Sequence, residues 1–206
     1  MRKEKKLVIV DYGVGNFRNV QKAFQAVGAH VIISDQAKDI DDADAVILPG
    51  VGAFGDAIDN VRARDLEAPM LASAKAGKPF FGICVGMQLL FETSNEMGQH
   101  QGLSLLPGKV IRFADTLTVP HMGWNQIEPA KSHALLNDIS PGDFAYFAHS
   151  YNCVPQNQTD ILAKTDYEAH FVSAVASDNI YGIQFHPEKS QRIGLQILQN
   201  FADLIV

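Results

Sequence analysis

Short uninterrupted apolar runs recur along the first half of the chain, each followed by a polar or glycine-rich segment. Residues 7–10, 30–34, 45–48 and 80–83 are such runs and read as strands. Continuous apolar strands, as opposed to alternating ones, belong to parallel sheets covered on both faces. After the first run, Phe17, Val20, Phe24 and Val27 fall on one helical stripe that stops at Gly28. Residues 57–76 predict a helix broken near Pro69, and residues 85–92 a second one. The stretch 93–108 is polar and loop-like. Beyond it the periodicity changes: strands are expected at 109–113, 120–127, 144–148, 161–167, 171–176 and, after a turn at Asp178-Asn179, at 180–185. A closing helix carries Ile193, Ile197, Leu198, Phe201 and Ile205 on one stripe, with Ser190 as its cap. Alternating strands and helices followed by a strand-rich half predict an α/β fold. We expect a single three-layer domain over residues 1–206 around a mixed, mostly parallel central sheet.

Composition narrows the function classes. The chain has 206 residues, 47% hydrophobic and 19% charged, which suits a globular domain with a sizeable core. Its net charge of −6 argues against nucleic acid as a partner. No apolar run approaches the roughly 18 residues that span a bilayer. The basic start, residues 1–6, precedes only four apolar residues, too few for a signal peptide, so a cytoplasmic location is expected. In that compartment Cys84 and Cys153 stay reduced. No histidine falls at metal-ligand spacing, His121 included, so neither a metal nor another cofactor is expected.

The chemistry centres on residues 82–88, GICVGMQ. An apolar strand runs into Cys84 and a helix leaves from it, with glycines two positions to either side. That is the layout of a nucleophile elbow with cysteine as the nucleophile. Glycines let neighbouring backbone approach closely, and the N–H of Val85 points to where an oxyanion forms. A base is available in residues 184–188, QFHPE. In an extended segment, residues two apart face one side, so Glu188 orients the His186 imidazole, which activates Cys84. Gln88 lies one helical turn from Cys84 and faces the same substrate. Residues 49–55, PGVGAFG, place three glycines after a strand, a signature of unusual backbone geometry or close approach to a ligand. Gly13 and Gly15 lack the third glycine of a dinucleotide fingerprint and read as a strand-to-helix turn.

Together, GICVGMQ and QFHPEKS resemble the triad-type (class I) glutamine amidotransferases, whose fold is flavodoxin-like. The further stretches DYGVGN (11–16), PGVGAFG (49–55) and PHMGWN (120–125) are similar to the glutaminase subunits of imidazole glycerol phosphate synthases. The likeness covers essentially the whole chain. One departure is Val85, where that family usually has leucine; only its backbone N–H is needed. The resemblance implies hydrolysis of L-glutamine to glutamate and ammonia through a thioester on Cys84. It implies a second oxyanion donor from the backbone of Gly50, Val51 and Gly52. It places a carboxylate, Glu96, near the substrate's amino group, and the backbone of Ser150 and Tyr151 against the bound glutamine. It also implies a partner, a separate (β/α)₈-barrel cyclase subunit that uses the ammonia in histidine biosynthesis. No synthase segment is recognisable in these 206 residues. DYGVGN, PHMGWN and Lys189 are candidates for the contact with it.

Two other readings compete. The chain feeds ammonia to another synthase, of the anthranilate or aminodeoxychorismate type; PHMGWN and DYGVGN argue against this. Or it is a free-standing cysteine hydrolase acting on γ-glutamyl compounds, which would turn over without a partner. A non-catalytic regulator would not need all three triad residues.

Overall fold

The computed structural model describes residues 5–205. The chain runs through β1 (Leu7–Val10), α1 (Phe17–Ala26), β2 (Val31–Ser34), α2 (Ala37–Asp41), β3 (Ala45–Gly50), α3 (Phe54–Ala63), α4 (Glu67–Lys75) and β4 (Phe80–Cys84). There follow α5 (Val85–Leu89), β5 (Phe91–Ser94), β6 (His100–Gln101), β7 (Leu106–Arg112), β8 (His121–Pro129), β9 (Asp143–His149) and β10 (Tyr151–Pro155). The last elements are β11 (Ile161–Asp166), β12 (His170–Ser177), β13 (Ile180–Ile183) and α6 (Gln191–Asp203).

The expected mixed sheet is present. Its first half, in the order β2-β1-β3-β4-β13, is entirely parallel. Strands β1, β3 and β4 are buried on both faces, which is why they read as unbroken apolar runs. Helices α1 and α6 pack on each other, as do α2 and α4. Right-handed crossovers place the two pairs on opposite faces, giving three layers. On the α6 side, Phe201 stacks on Phe81 with ring centroids 4.6 Å apart and meets Phe24 and Tyr181 edge-on. Each fully buried phenylalanine contributes roughly 1.5–3 kcal/mol. Beyond β13 the sheet is antiparallel except where β5 pairs with β7 in parallel, and it forks at β12: one arm is β10-β7-β5-β6, the other β11-β8-β9. The arms meet again in the chain at Ser150, the single residue between β9 and β10.

Several local expectations are corrected. The long helix breaks at Asp65, whose φ is +56°, between α3 and α4. Pro69 lies in the first turn of α4, where a missing N–H costs nothing. The helix after Cys84 ends at Leu89, not at Glu92. The carbonyls of Leu89 and Leu90 accept from the N–H groups of Leu103, Leu105 and Leu106, so the helical ladder has no continuation. The supposed loop at 93–108 instead contains the end of β5, all of β6 and the start of β7. Sheet pairing overrides helical spacing there. Ser190 precedes α6 but does not cap it: its hydroxyl donates to the His186 carbonyl at 2.6 Å and accepts from the Tyr146 N–H at 2.9 Å. Helix α2 and strand β10 were not expected from periodicity. No helix among the described residues is long and apolar enough to cross a membrane.

Candidate active site

Cys84 is the last residue of β4, and α5 begins at the next residue. The turn is therefore confined to one residue, and Cys84 takes φ 56° and ψ −113°, a conformation L-residues avoid. The flanking glycines make it possible. A Cβ on Gly86 would lie 1.7 Å from the Leu48 carbonyl oxygen, and one on Gly82 would lie 2.5 Å from the Gly86 carbonyl oxygen. Helix α5 thus starts directly against β3 and β4, with no room for a side chain between them. The sulfur sits in a cleft while the residue as a whole is buried.

The histidine arrives on the neighbouring strand. β13 pairs with β4 in parallel register, Ile183 opposite Ile83, so the segment after Ile183 emerges beside Cys84. The strand ends at Ile183, two residues short of the expected Phe185. His186 is extended, at φ −94° and ψ 102°, and Pro187–Lys189 form one 3-10 turn. The contact between His186 and Glu188 is therefore made around a turn and not along an extended strand. It has the same outcome: His186 Nδ1 lies 3.1 Å from Glu188 Oε1. This leaves Nε2 to face Cys84. Burial works against a charge on the imidazole. Hydrogen bonding and charge from Cys84 and then Glu188 outweigh it and raise the His186 pKa to about 10. Burial also opposes the Glu188 charge, but bonds from His186, its own backbone and Asn16 hold its carboxyl below the usual range. The environment therefore favours the imidazolium form of His186.

Further residues brace this core. Asn16 donates to Glu188 Oε1 at 3.2 Å. Gln88 donates to Gln184 Oε1 at 3.1 Å and to the Tyr151 carbonyl at 3.2 Å, and Gln184 Nε2 lies 3.7 Å from the Cys84 sulfur. The Tyr12 hydroxyl donates to the Pro49 carbonyl at 2.9 Å, anchoring the glycine-rich loop after β3, and burial raises its own pKa. Glu96 Oε2 accepts from the N–H of Phe54 at 2.7 Å, at the first turn of α3 just past that loop.

The cleft measures about 270 Å³. Cys84, Val85, Gln88 and His186 line it together with Val51, Gly52, Glu96, Ser150 and Tyr151. Two of the expected site residues do not line it. Glu188 lies behind His186. Gly50 packs behind the loop, where a Cβ would come within 2.8 Å of the Tyr12 hydroxyl and the Val85 side chain. Lys189, Pro120, Met122 and His149 also face the cleft. Gln184, Tyr12 and His149 were not singled out from the sequence. Gln184 had a signal, since it stands two residues before His186 and so on the same face. Tyr12 had none, because its partner Pro49 is remote in the chain, and His149 had none, because its imidazole partner His121 lies on another strand.

A family model described as "Glutamine amidotransferase class-I" matches residues 8–204. The chain is 51% identical over 203 residues to the imidazole glycerol phosphate synthase subunit HisH of Salinibacter ruber, covering 95% of this chain and 93% of that one. It is 48% identical over 195 residues to the HisH subunit of Aquifex aeolicus, covering 94% of each. Among solved structures, PurLQS from Thermotoga maritima has a TM-score of 0.77 at 19% identity, covering 99% of this chain and 100% of that chain, a likeness of fold.

Proposed function

The chain belongs to the class I glutamine amidotransferases, and on that premise we propose that it is the glutaminase subunit of an imidazole glycerol phosphate synthase, acting in histidine biosynthesis. Cys84 is the nucleophile, His186 the acid and base, and Glu188 the group that orients and charges the imidazole. The observation that carries this reading is Cys84 at a left-handed elbow, beside an imidazole whose other nitrogen is held by a buried carboxylate.

The Cys84 sulfur attacks the side-chain amide carbon of L-glutamine. The oxygen of the tetrahedral intermediate faces the N–H of Val85 and the backbone of Val51 and Gly52; one such donor is worth on the order of 10²–10³ in rate. His186 gives its proton to the leaving nitrogen, the C–N bond of the tetrahedral intermediate breaks, and ammonia departs, leaving the thioester on Cys84. Water then loses a proton to His186 and attacks the thioester carbon, releasing glutamate and restoring Cys84. Glu96 receives the substrate's amino group, and Gln88 and the backbone at Ser150 and Tyr151 hold the rest of the molecule.

Ammonia released to water at neutral pH is protonated and loses its nucleophilic lone pair. The product is therefore passed within a closed complex to a (β/α)₈-barrel cyclase subunit. Support for a partner at this face comes from Met122, Trp124 and Phe144, which are 65%, 47% and 51% exposed. They lie on β8 and β9, and Met122 reaches the cleft mouth beside Lys189. Large apolar side chains gathered at a catalytic entrance mark a binding surface. The setting is the cytoplasm.

Glutamine hydrolysis is to be measured for the chain alone, with the cyclase subunit, and with that subunit plus its nucleotide substrate. The expected result is low activity alone that rises strongly in the third state. High activity alone, unchanged by either addition, would favour a free-standing hydrolase.

A further inference from the structure

Part of the cleft wall is held by two buried histidines that the proposed chemistry does not use. His121 on β8 and His149 on β9 are direct cross-strand partners, and both are buried. His121 Nδ1 lies 3.1 Å from His149 Nε2, and His149 Nδ1 lies 2.8 Å from the Tyr151 carbonyl oxygen. At the other end, Asn125 Nδ2 lies 3.3 Å from His121 Nε2. The orientation of the Asn125 amide is fixed: its nitrogen also donates to the Asp166 carbonyl at 2.8 Å, and its oxygen accepts from the Gln126 N–H.

A carbonyl oxygen only accepts and an amide nitrogen only donates. These two ends leave one assignment for everything between them. Asn125 donates to His121, His121 donates through Nδ1–H to His149, and His149 donates through Nδ1–H to Tyr151. Both rings are then neutral, each with its proton on Nδ1. An added proton would set two donors face to face. The surroundings agree, since Phe113, Phe147 and Phe171 pack against both rings. Burial lowers the pKa of His121 to about 4 and that of His149 to about 3.

The receiving carbonyl matters because of its place. The Tyr151 carbonyl takes a second hydrogen bond from Gln88, and the Ser150 carbonyl accepts from the Phe113 N–H at 3.1 Å. The two peptides flanking Tyr151 are thereby held in one orientation at the cleft wall.

We propose that the Asn125–His121–His149 chain is a positioning device that sets the Ser150–Tyr151 backbone for substrate and takes no part in proton transfer. The proposal rests on the reading of the cleft as a glutamine site. Steady-state kinetics under the conditions in which the wild type hydrolyses glutamine test it. His121→Phe keeps a ring against Phe147 but cannot donate, and His149→Phe removes the bond to Tyr151. Each should raise KM for glutamine about tenfold with kcat changed less than about twofold, because a ground-state contact is lost. His149→Asn carries an amide nitrogen near the Nδ1 position and should recover most of the loss. Unchanged KM in both phenylalanine variants, or a loss confined to kcat, would overturn the proposal. A readout independent of activity is the imidazole ¹⁵N NMR spectrum of the wild type at neutral pH. Both rings should be neutral with the proton on Nδ1; a His149 proton on Nε2 would refute the chain. A wild type that hydrolyses no glutamine in any assembly would instead overturn the function proposed above, and the tautomer measurement would still decide this one.

Discussion

Cys84 holds a backbone conformation that costs of order 1–3 kcal/mol for a residue with a side chain. The cost places its sulfur beside His186, and the electrostatics of the pair have a measurable consequence. In the folded protein, burial is outweighed by hydrogen bonding and charge from Cys84 and Glu188, which raise the His186 pKa from 6.5 to about 10. A raised folded-state pKa contributes stability that is fully present below 6.5 and is lost as pH rises through about 10. For Glu188, whose folded pKa lies below its ordinary 4.5, the contribution is present above 4.5 and fades as pH falls through the folded value. The triad therefore stabilises the fold most between those limits. In Cys84→Ala, NMR titration of His186 should show its pKa moving down from about 10, because the hydrogen bond to Cys84, which does most to raise it, is gone. An unmoved titration would mean that Cys84 does not charge the imidazole. Glutamine hydrolysis should fall on the order of 10⁶-fold in that variant, and less in Glu188→Gln, since an orienting acid contributes less than a nucleophile.

At the scale of elements, α3 begins one loop away from the cleft, and its first N–H is capped from a distance by Glu96. One carboxylate thus serves the helix start and, in the proposed reading, the substrate's amino group. Two substitutions separate these roles. Glu96→Gln keeps an oxygen that accepts from Phe54 but loses the charge, so KM for glutamine should rise about tenfold with thermal stability nearly unchanged. Glu96→Ala also removes the cap and should cost a further 0.5–2 kcal/mol or so by chemical denaturation. Equal stability of the two variants would show that the cap does not hold α3. The elbow is likewise a property of elements: Gly86→Ala would drive a methyl group into the Leu48 carbonyl, forcing β3 and α5 apart.

For the whole molecule, the parallel half of the sheet carries the nucleophile and the base, and the forked, largely antiparallel half supplies further cleft residues, Ser150 and Tyr151 among them, and the exposed apolar face on β8 and β9. Trp124 stands on that face, 47% exposed, with its ring edge-on to Tyr146. Aromatic residues of this kind dominate interface energies, often by about 2 kcal/mol or more. Trp124→Ala should therefore weaken binding of the proposed cyclase subunit about thirtyfold, by titration calorimetry, while the melting temperature of the isolated chain stays within a few degrees. Wild-type affinity in this variant would move the docking surface elsewhere.

What the sequence determined by itself was local in character. The unbroken apolar runs at Leu7–Val10 and Phe80–Cys84 require burial on both faces, and Gly-x-Cys-x-Gly can be satisfied only by a tight elbow. His186 and Glu188 lie two residues apart, so their contact survives whether the link is strand or turn. The fold class was legible for that reason, and so was the grouping of Cys84, His186 and Glu188. Contacts between distant segments were decided only in the tertiary structure. Leu89 ends its helix because its carbonyl finds Leu103. Glu96 caps a helix forty-two residues earlier. Asn16 reaches Glu188, and Tyr12 reaches Pro49. The His121–His149 chain exists because β8 and β9 pair in one register. Periodicity reports which face of an element is buried, but a hydrogen bond needs a donor and an acceptor within about 3 Å, and only the packed sheet brings them there.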